Sequence, residues 1–509
     1  MQITFPHSRT PWLIVAGVLA ALGIIIWLCL PFKNNPSGSL SSLKDIAGKT
    51  IGVQLGTTGD VMASHYEGDA AGTTVERYAN SADAVQALMQ GKIDCMIEDE
   101  QPALAFVRQN PELALLPEEF SHDNYAFCAA KDRHELMARV DAALDKLRRT
   151  GMLDSIARGH IRYGRDVAYS KRQVACNNGT LVVGTNANYK PYEYFADGKV
   201  VGIDIDIVQA ICDELGMTLS IEEMAFESII TAVQSGKVDL GASAFTVTPE
   251  RSKNVLFSSP YAASRQVVIV RGKAPTAVGM SLAEKFKANF IDANRYLYLL
   301  TGLGNTLLIT ILAMLISLVL GSAIAIVRST HDSRGGLTLL NALCRLYLTI
   351  IRGTPTMVQL LIIYYVVFAS ANVSKVLVAV VAFGLNSAAY LAEIVRAGIQ
   401  SIDKGQMEAG RSLGLSYGKT MQLIILPQAF KNVLPAMGNE LIVLLKETSI
   451  SGYIGLVDLT KGSDIIRSVT YDAMMPLTLV ALVYLAIVMA LSAGVSRLEK
   501  SMRKSERQS

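Results

Sequence analysis

Long apolar segments constrain this chain more than any other feature of its sequence. The first uncharged run, Trp12–Leu30, has nineteen residues, and a helix of that length spans roughly 28 Å, close to the hydrocarbon thickness of a bilayer. Only 18% of the residues are charged, against roughly 25% in soluble domains. Further apolar segments follow Tyr296, and we predict membrane spans at about 297–327, 346–369, 375–398, 424–445 and 476–496.

The first apolar run resembles a membrane anchor more than a cleaved signal. It ends at Leu28-Cys29-Leu30-Pro31, which lacks the small-residue cleavage site of a secretory signal. Lipoprotein cleavage before Cys29 is the alternative, and the bulky Leu28 disfavours it. We therefore predict that residues 1–33 form an uncleaved signal-anchor helix.

Positive residues predict the orientation of the chain in the membrane. Lys404, Arg411 and Lys419 follow the third later span, and His7 and Arg9 precede the anchor. Such residues concentrate on the cytoplasmic side. Both chain ends are then cytoplasmic, and the polar stretch from about residue 34 to residue 289 lies on the outer face of a multi-pass protein surrounded by lipid.

Composition and cysteine spacing exclude several functional classes. The net charge is +3, which provides no basic surface for nucleic acid, so we expect no nucleic-acid partner. The six cysteines include no C-x-x-C and no paired Cys/His spacing, so we expect no metal site and no cofactor. Export permits a disulfide, and the sequence leaves open whether one forms among Cys95, Cys128, Cys176 and Cys212.

One segment is similar to a phosphate-binding loop without matching it. Gly414 and Gly418 precede Lys419-Thr420, but only three residues separate the two glycines, where that loop needs four. We therefore expect that this chain is not an enzyme and hydrolyses no ATP itself.

The same segment carries a more specific motif. Glu408-Ala409-Gly410, Gly414 and the ending Ile424-Ile425-Leu426-Pro427 resemble the "EAA" cytoplasmic loop of ABC importer permeases. The resemblance covers residues 280–500, with the loop at 404–427, and Arg352-Gly353-Thr354-Pro355 is similar to a pattern of the polar-amino-acid branch. It implies a permease domain of five membrane helices, a permease homodimer and a separate ATPase subunit that docks at Glu408, Ala409, Gly410 and Gly414. The one departure is Gly410, which stands where alanine is usual.

Glu393 and Arg396 are ionisable residues within an apolar span. Charged side chains are costly in lipid unless they pair or face a cavity. Their spacing of three residues allows them to pair on one helix. A structural pair and a place on the substrate pathway are both compatible with the sequence.

The stretch before the permease resembles a bilobal solute-binding protein of the glutamine/histidine type. Residues 180–275 resemble its first lobe, through Leu181–Asn186, Pro191–Tyr194, Val201–Asp206, Gly236–Asp239 and Thr246–Arg251. Residues 38–163 resemble its second lobe with the closing helices, through Leu43–Lys49, Ile51–Gly59, Asp94–Asp99 and Leu147–Leu153.

The order of the two lobes is the reverse of the order in that family. We predict a circular permutant with residues 164–179 as the new linker, because sixteen residues reach up to about 55 Å and neighbouring chain ends tolerate permutation. The halves could pair within one chain or between the chains of a dimer. The predicted fold class is an α/β bilobal periplasmic-binding-protein-like domain (type II, permuted) followed by an all-α transmembrane permease domain.

The resemblance also implies a binding site for an amino acid. Arg251, with Ser243, Thr246 and the turn at Thr57 and Thr58, takes the positions that hold the ligand carboxylate, which a guanidinium binds in bidentate fashion. Asp99 takes the position that binds the ammonium. The expected side-chain pocket consists of Asn186, Tyr189, Phe226, Gln54 and Glu98. Without the family match, we would interpret Arg251 as part of a surface ion pair and Asp99 as a strand-end cap. Even with the match, a solvated rim position is the alternative for Glu98.

Together these resemblances imply the binding-plus-permease subunit of a type I ABC importer in the bacterial cytoplasmic (inner) membrane. The expected substrate is a polar or basic amino acid: arginine, lysine, histidine, glutamine or cystine. A ligand-gated channel is an alternative, but it would carry a pore helix between the lobes. A sensor kinase is another, but it would carry kinase or phosphoacceptor motifs, which this sequence lacks.

Overall fold

The structure is a computed structural model that describes residues 40–506 except 69, 273–280, 370–372, 471 and 473. The predicted signal anchor, residues 1–33, lies outside the described residues. Two α/β lobes come first in the chain, and a helical domain follows. The predicted fold class, a bilobal α/β domain before an all-α membrane domain, is confirmed.

The lobes contain short strands and amphipathic helices. The strands are β1 (Thr50–Gln54), β2 (Thr74–Tyr78), β3 (Cys95–Asp99), β4 (Leu113–Leu115), β5 (Ser121–Tyr125), β6 (Cys128–Ala129), β7 (Thr180–Thr185), β8 (Asn188–Tyr189), β9 (Glu193–Ala196), β10 (Lys199–Val201), β11 (Thr218–Glu223), β12 (Leu240–Gly241), β13 (Leu256–Phe257) and β14 (Ala262–Arg271). The helices are α1 (Thr58–Ser64), α2 (Ser81–Met89), α3 (Glu100–Gln109), α4 (His134–Arg149), α5 (Met152–Ile161), α6 (Ile203–Leu215), α7 (Phe226–Gln234) and α8 (Pro249–Asn254).

Each lobe is built on one large sheet, and the two halves of the sequence exchange strands between these two sheets. A further three-stranded sheet has the order β10-β9-β8. Lobe A has the strand order β2-β1-β3-β14-β4, with β5 also paired to β14. Lobe B has the order β11-β7-β12-β6-β13. In lobe A, β14 pairs antiparallel with β3 and places Val268 opposite Ile97. In lobe B, β6 pairs with β12 and places Gly241 opposite Cys128.

This exchange means that neither predicted range, 38–163 or 180–275, forms a lobe alone. The closing helices α4 and α5 belong to the first half, yet their apolar residues, among them Leu144 and Ile156, pack with Leu181 and Ile207 in the core of lobe B. The two halves pair within this one chain. The five cysteines in the described residues are free.

Two aspartates of α6 accept hydrogen bonds from the linker at residues 164–179. The backbone N–H groups of Ala168 and Tyr169 donate to Asp206 Oδ2 at 2.6 and 2.8 Å. The Tyr169 hydroxyl donates to Asp213 Oδ2 at 2.8 Å. Since charge-assisted bonds of this kind are the stronger ones, the linker is held against lobe B.

The second part of the chain is helical. Its α-helices are α9 (Leu282–Phe286), α10 (Tyr296–Arg334), α11 (Thr338–Gly353), α12 (Thr356–Ile362), α13 (Lys375–Gln400), α14 (Lys404–Ser412), α15 (Tyr417–Thr420), α16 (Leu426–Glu447), α17 (Leu459–Thr470) and α18 (Met474–Glu506). An extra turn, Ile363–Val367, extends α12.

Within the described residues, three helices are long and apolar enough to cross a membrane: Tyr296–Ser333, Lys375–Gln400 and Met474–Lys500. The predicted span at 346–369 falls on two helices, Thr338–Gly353 and Thr356–Val367, that meet at 109° and are long and apolar enough only when taken together. Pro355 lies at that break, immediately before α12. The predicted span at 424–445 is a helix, α16, but Lys431 and Glu440 make it more polar than the other three.

Small residues let the long helices approach closely. A Cβ atom added at Gly321 of α10 would lie 2.9 Å from the backbone oxygen of Ala388 on α13. Only glycine therefore fits where these helices cross, as is common in membrane helix packing.

Helix α17 contacts both lobes through ion pairs. Lys461 Nζ lies 2.9 Å from Glu223 Oε1 at the end of β11 in lobe B. Arg467 Nη1 lies 2.5 Å from Asp83 Oδ1 on α2 of lobe A. Lys375, at the start of α13, adds a pair with Glu222 at 3.0 Å. One short helix thus touches the two lobes at positions six residues apart.

Candidate ligand-binding site

A small cavity lies between the two lobes. Ten of the eleven residues predicted for the ligand site line it: Gln54, Thr57, Thr58, Asp99, Asn186, Tyr189, Phe226, Ser243, Thr246 and Arg251. The eleventh, Glu98, does not. Glu193 and Ala244 complete the lining.

Strand ends and helix starts bring the lobe A residues to the cavity. Gln54 ends β1, and the Thr57 hydroxyl, in the N-cap position of α1, accepts from the Asp60 backbone N–H. Asp99 ends β3 and precedes α3, but its side chain makes no capping bond. The interpretation of Asp99 as a cap is therefore wrong, and its carboxylate is directed to other partners.

The guanidinium of Arg251 bridges the lobes from lobe B. It donates to the backbone oxygen of Thr246 at 2.9 Å and to that of Gly56, in lobe A, at 2.8 Å. It also lies over the rings of Phe226 and Phe245, 5.6 and 5.5 Å from their centroids, an arrangement that favours a cation. Among the described residues it forms no ion pair, so the surface ion-pair interpretation is wrong.

Asp99 belongs to a buried group of polar side chains contributed by both lobes. The Tyr189 hydroxyl of lobe B contacts Asp99 Oδ2 and lies 2.9 Å from Glu98 Oε1. Gln266 Nε2 donates to Asp99 Oδ1 and, at 2.9 Å, to Asp123 Oδ2. Burial, reinforced by the charge of Glu98, raises the pKa of Asp99 to about 7.

Glu98 occupies a position that the sequence did not predict. It is only 6% exposed, so it is not a solvated rim residue. Its Oε1 accepts from the Asp99 backbone N–H at 3.0 Å and lies next to the Tyr189 hydroxyl. Glu98 therefore sits behind Asp99 and Tyr189, and burial raises the pKa of its carboxyl.

Glu193 is a lining residue that the sequence reasoning missed. Its carboxylate is fully buried at the start of β9, and Oε1 accepts from Ser243 Oγ at 2.6 Å. Burial, with the charge of Asp204, raises its pKa well above the usual range. The available signal was a lone carboxylate among tyrosines, in Pro191-Tyr192-Glu193-Tyr194.

The predicted ATPase-docking loop is a helix–turn–helix at α14 and α15. Glu408 and Ala409 are exposed, whereas Gly410 is buried. A Cβ atom at position 410 would lie 2.5 Å from Thr420 Cγ2, so glycine in place of the usual alanine allows the two helices to pack closely. Gly414 forms the turn between them with φ +85°. Next to it, the Leu413 side chain is 81% exposed.

The pairing predicted for Glu393 and Arg396 is confirmed. Glu393 Oε2 accepts from Arg396 Nε and Nη2 at 3.0 and 2.8 Å. Arg328 of α10 contacts the other oxygen, Oε1. The carboxylate thus links α10 to α13 through two guanidinium groups.

Comparison with known proteins agrees with this architecture. The model for bacterial extracellular solute-binding proteins, family 3, matches residues 181–479, more than half of the chain. The arginine transport system permease protein ArtQ of Bacillus subtilis (strain 168) is 38% identical over 212 residues, which are 41% of this chain and 94% of ArtQ.

Two of the solved structures that match this chain are transporters, and each match covers less than half of it. The crystal structure of an amino acid ABC transporter with histidines is 40% identical and covers 42% of this chain and 98% of that chain, with a TM-score of 0.38. An inward-facing structure of the MetNI methionine ABC transporter is 20% identical and covers 44% of this chain and 99% of that one, with a TM-score of 0.36. From the family match and the ArtQ alignment, the chain belongs to the bacterial extracellular solute-binding proteins of family 3, fused here to a permease of the amino-acid ABC transporter type.

Proposed function

We propose that this chain imports a polar or basic amino acid, which its two lobes capture at the outer face of the cytoplasmic membrane. The observation that carries the proposal is the cavity between the lobes, which contains both the guanidinium of Arg251 and the carboxylate of Asp99. A free amino acid carries the complementary pair, a carboxylate and an ammonium. Because each lobe supplies one of the two charges, binding requires both lobes.

The roles of the lining residues follow from their chemistry. Arg251 binds the ligand carboxylate with help from the hydroxyls of Ser243 and Thr246 and from the turn at Thr57 and Thr58, since a guanidinium and neutral donors together satisfy both carboxylate oxygens. Asp99 binds the ammonium. The ligand side chain then meets the remaining predicted residues, Asn186, Tyr189, Phe226 and Gln54. Glu98 acts through Tyr189 and Asp99 as a positioning residue.

The helical domain then provides the route through the membrane. The exposed loop at Glu408, Ala409 and Gly414 binds a separate ATPase subunit, on which ATP is hydrolysed. Two copies of the chain form the permease, as a homodimer in the bacterial inner membrane. Exposed apolar side chains on the long helices, such as Val319 of α10 at 74%, contact lipid.

Equilibrium binding to the full chain in nanodiscs tests this function. We expect Arg251→Ala and Asp99→Ala each to weaken amino-acid binding by about thirty-fold or more, because truncating one partner of a buried charge pair costs about 2–5 kcal/mol. Arg108→Ala, which removes an exposed arginine of α3, is the matched control and should bind normally. Affinities close to wild type for both cavity variants would reject the assignment, as would a wild-type chain that binds no amino acid.

A further inference from the structure

One buried carboxylate oxygen in the cavity has no partner. Glu193 is fully buried, and while its Oε1 accepts from Ser243, its Oε2 has no hydrogen-bond partner among the described residues. An unpaired buried carboxylate is strongly unfavourable. The group therefore holds a proton or accepts from a donor that enters the cavity.

The neighbouring carboxylate of Asp204 differs from that of Glu193, because both of its oxygens have partners. Asp204 is equally buried, but the Tyr261 hydroxyl lies 2.7 Å from both of its carboxylate oxygens. The Ala244 backbone N–H also donates to Oδ2 at 2.9 Å. Asp204 therefore has its partners within the fold, whereas Glu193 lines the cavity with one oxygen unpaired.

The charges of the lining residues indicate what kind of donor would pair with Glu193 Oε2. The lining contains two carboxyl groups, Asp99 and Glu193, and one cation, Arg251, and Glu98 lies behind Asp99. The carboxylate of an amino-acid ligand pairs with Arg251, and its ammonium pairs with Asp99. No cation is left for Glu193 unless the ligand side chain supplies one.

We propose that the cavity selects amino acids with a cationic side chain, and that Glu193 is the residue that meets this cation. This inference rests on the function proposed above and narrows its substrate class to lysine-like and arginine-like ligands. The aromatic rings of Tyr189 and Phe226 line the same cavity and suit the methylene stem and the delocalised charge of such a side chain. A neutral ligand, in contrast, leaves Glu193 protonated.

Competition binding to the full chain in nanodiscs tests the substrate class without any variant. Arginine, lysine, glutamine and cystine compete against labelled arginine. We expect arginine or lysine to bind at least ten-fold more tightly than glutamine and cystine. Equal or tighter binding of glutamine or cystine would overturn the inference while leaving the proposed amino-acid function intact.

The variant Glu193→Gln tests whether Glu193 meets the cation of the ligand side chain. Glutamine keeps the size of the side chain and an oxygen that can accept from Ser243, but it cannot carry the charge. We expect arginine affinity to fall about thirty-fold and glutamine affinity to change less than three-fold. Glu227→Gln, at an exposed position of α7 outside the cavity lining, removes the same charge and should leave both affinities unchanged.

The outcomes distinguish the role of Glu193 from the proposed amino-acid function. An equal loss for arginine and glutamine in Glu193→Gln, or no loss for either, would overturn the role of Glu193. A wild-type chain that binds none of these ligands would instead reject the proposed function itself. The melting temperature of the variant is measured alongside, and the selectivity of the wild type decides the substrate class even if that variant does not fold.

Discussion

Asp99 titrates close to neutral pH, since burial and the charge of Glu98 raise its pKa to about 7. In the site proposed above, a bound ammonium stabilises the ionised carboxylate, so we expect ligand binding to lower this pKa and to release a proton. The liganded form then holds fewer protons, and affinity rises with pH up to about 7 before it levels off. We expect amino-acid binding to be clearly weaker at pH 5.5 than at pH 8.

Calorimetric titrations of the full chain in buffers of different ionisation enthalpy measure this proton release directly. The control Glu227→Gln should keep the same pH profile, because residue 227 is exposed and does not line the cavity. An affinity that stays constant from pH 5.5 to 8, with no proton released, would contradict the role of Asp99.

The sequence could predict some site residues and not others, for a physical reason. Arg251 and Asp99 are recognisable because their residue types match the two charges of an amino acid at motif positions. Glu193 differs from other carboxylates because its Oε2 has no hydrogen-bond partner among the described residues. The residue types nearby do not indicate such a missing contact. Asp204 also lies in one of the motifs quoted above, yet both of its carboxylate oxygens have hydrogen-bond partners.

At the scale of single elements, the turn between α14 and α15 depends on Gly414. Its φ of +85° is a conformation that costs other residues about 1–2 kcal/mol, and β-branched residues adopt it least readily. We expect Gly414→Val to reorganise the docking loop, so that uptake with the ATPase in proteoliposomes falls at least ten-fold. Amino-acid binding should stay within two-fold of wild type.

Gly418→Ala is the matched control for this change. Gly418 lies inside α15, outside the positive-φ region, and an added Cβ atom meets nothing within 4 Å. Alanine also favours a helix, so this variant should transport normally. Full uptake by Gly414→Val would reject the assignment of this loop to ATPase docking.

Element boundaries were predictable only where the sequence carries local signals. The break between α11 and α12 coincides with Thr354-Pro355, but apolar composition does not reveal the 109° bend between the two helices. The exchange of β14 and β6 between the lobes joins residues far apart in the chain, so no local pattern could reveal it.

At the scale of the whole molecule, the ion pairs of α17 connect the lobes to the helical domain. Lys461 and Glu223 are both less than 9% exposed, and placing two like charges in such a site is strongly destabilising. We expect Lys461→Glu to lower uptake in proteoliposomes at least ten-fold while amino-acid affinity stays within about three-fold.

Charge exchange provides the control for this pair. The double variant Lys461→Glu/Glu223→Lys restores opposite charges and should recover at least part of the lost uptake, as a coupled pair does in a double-mutant cycle. If the single variant transports like wild type, the contact between α17 and lobe B has no part in transport. If the double variant is no better than the single one, the two residues do not act as a pair.

The covalent link between the lobes and the membrane helices changes the kinetics of docking. Only ten residues, 272–281, separate the end of β14 from α9, a reach of at most about 35 Å. A tether of this kind holds its domain at an effective concentration in the millimolar range. Delivery of ligand to the permease is then a first-order step within one molecule, and its rate does not depend on the concentration of a separate binding protein.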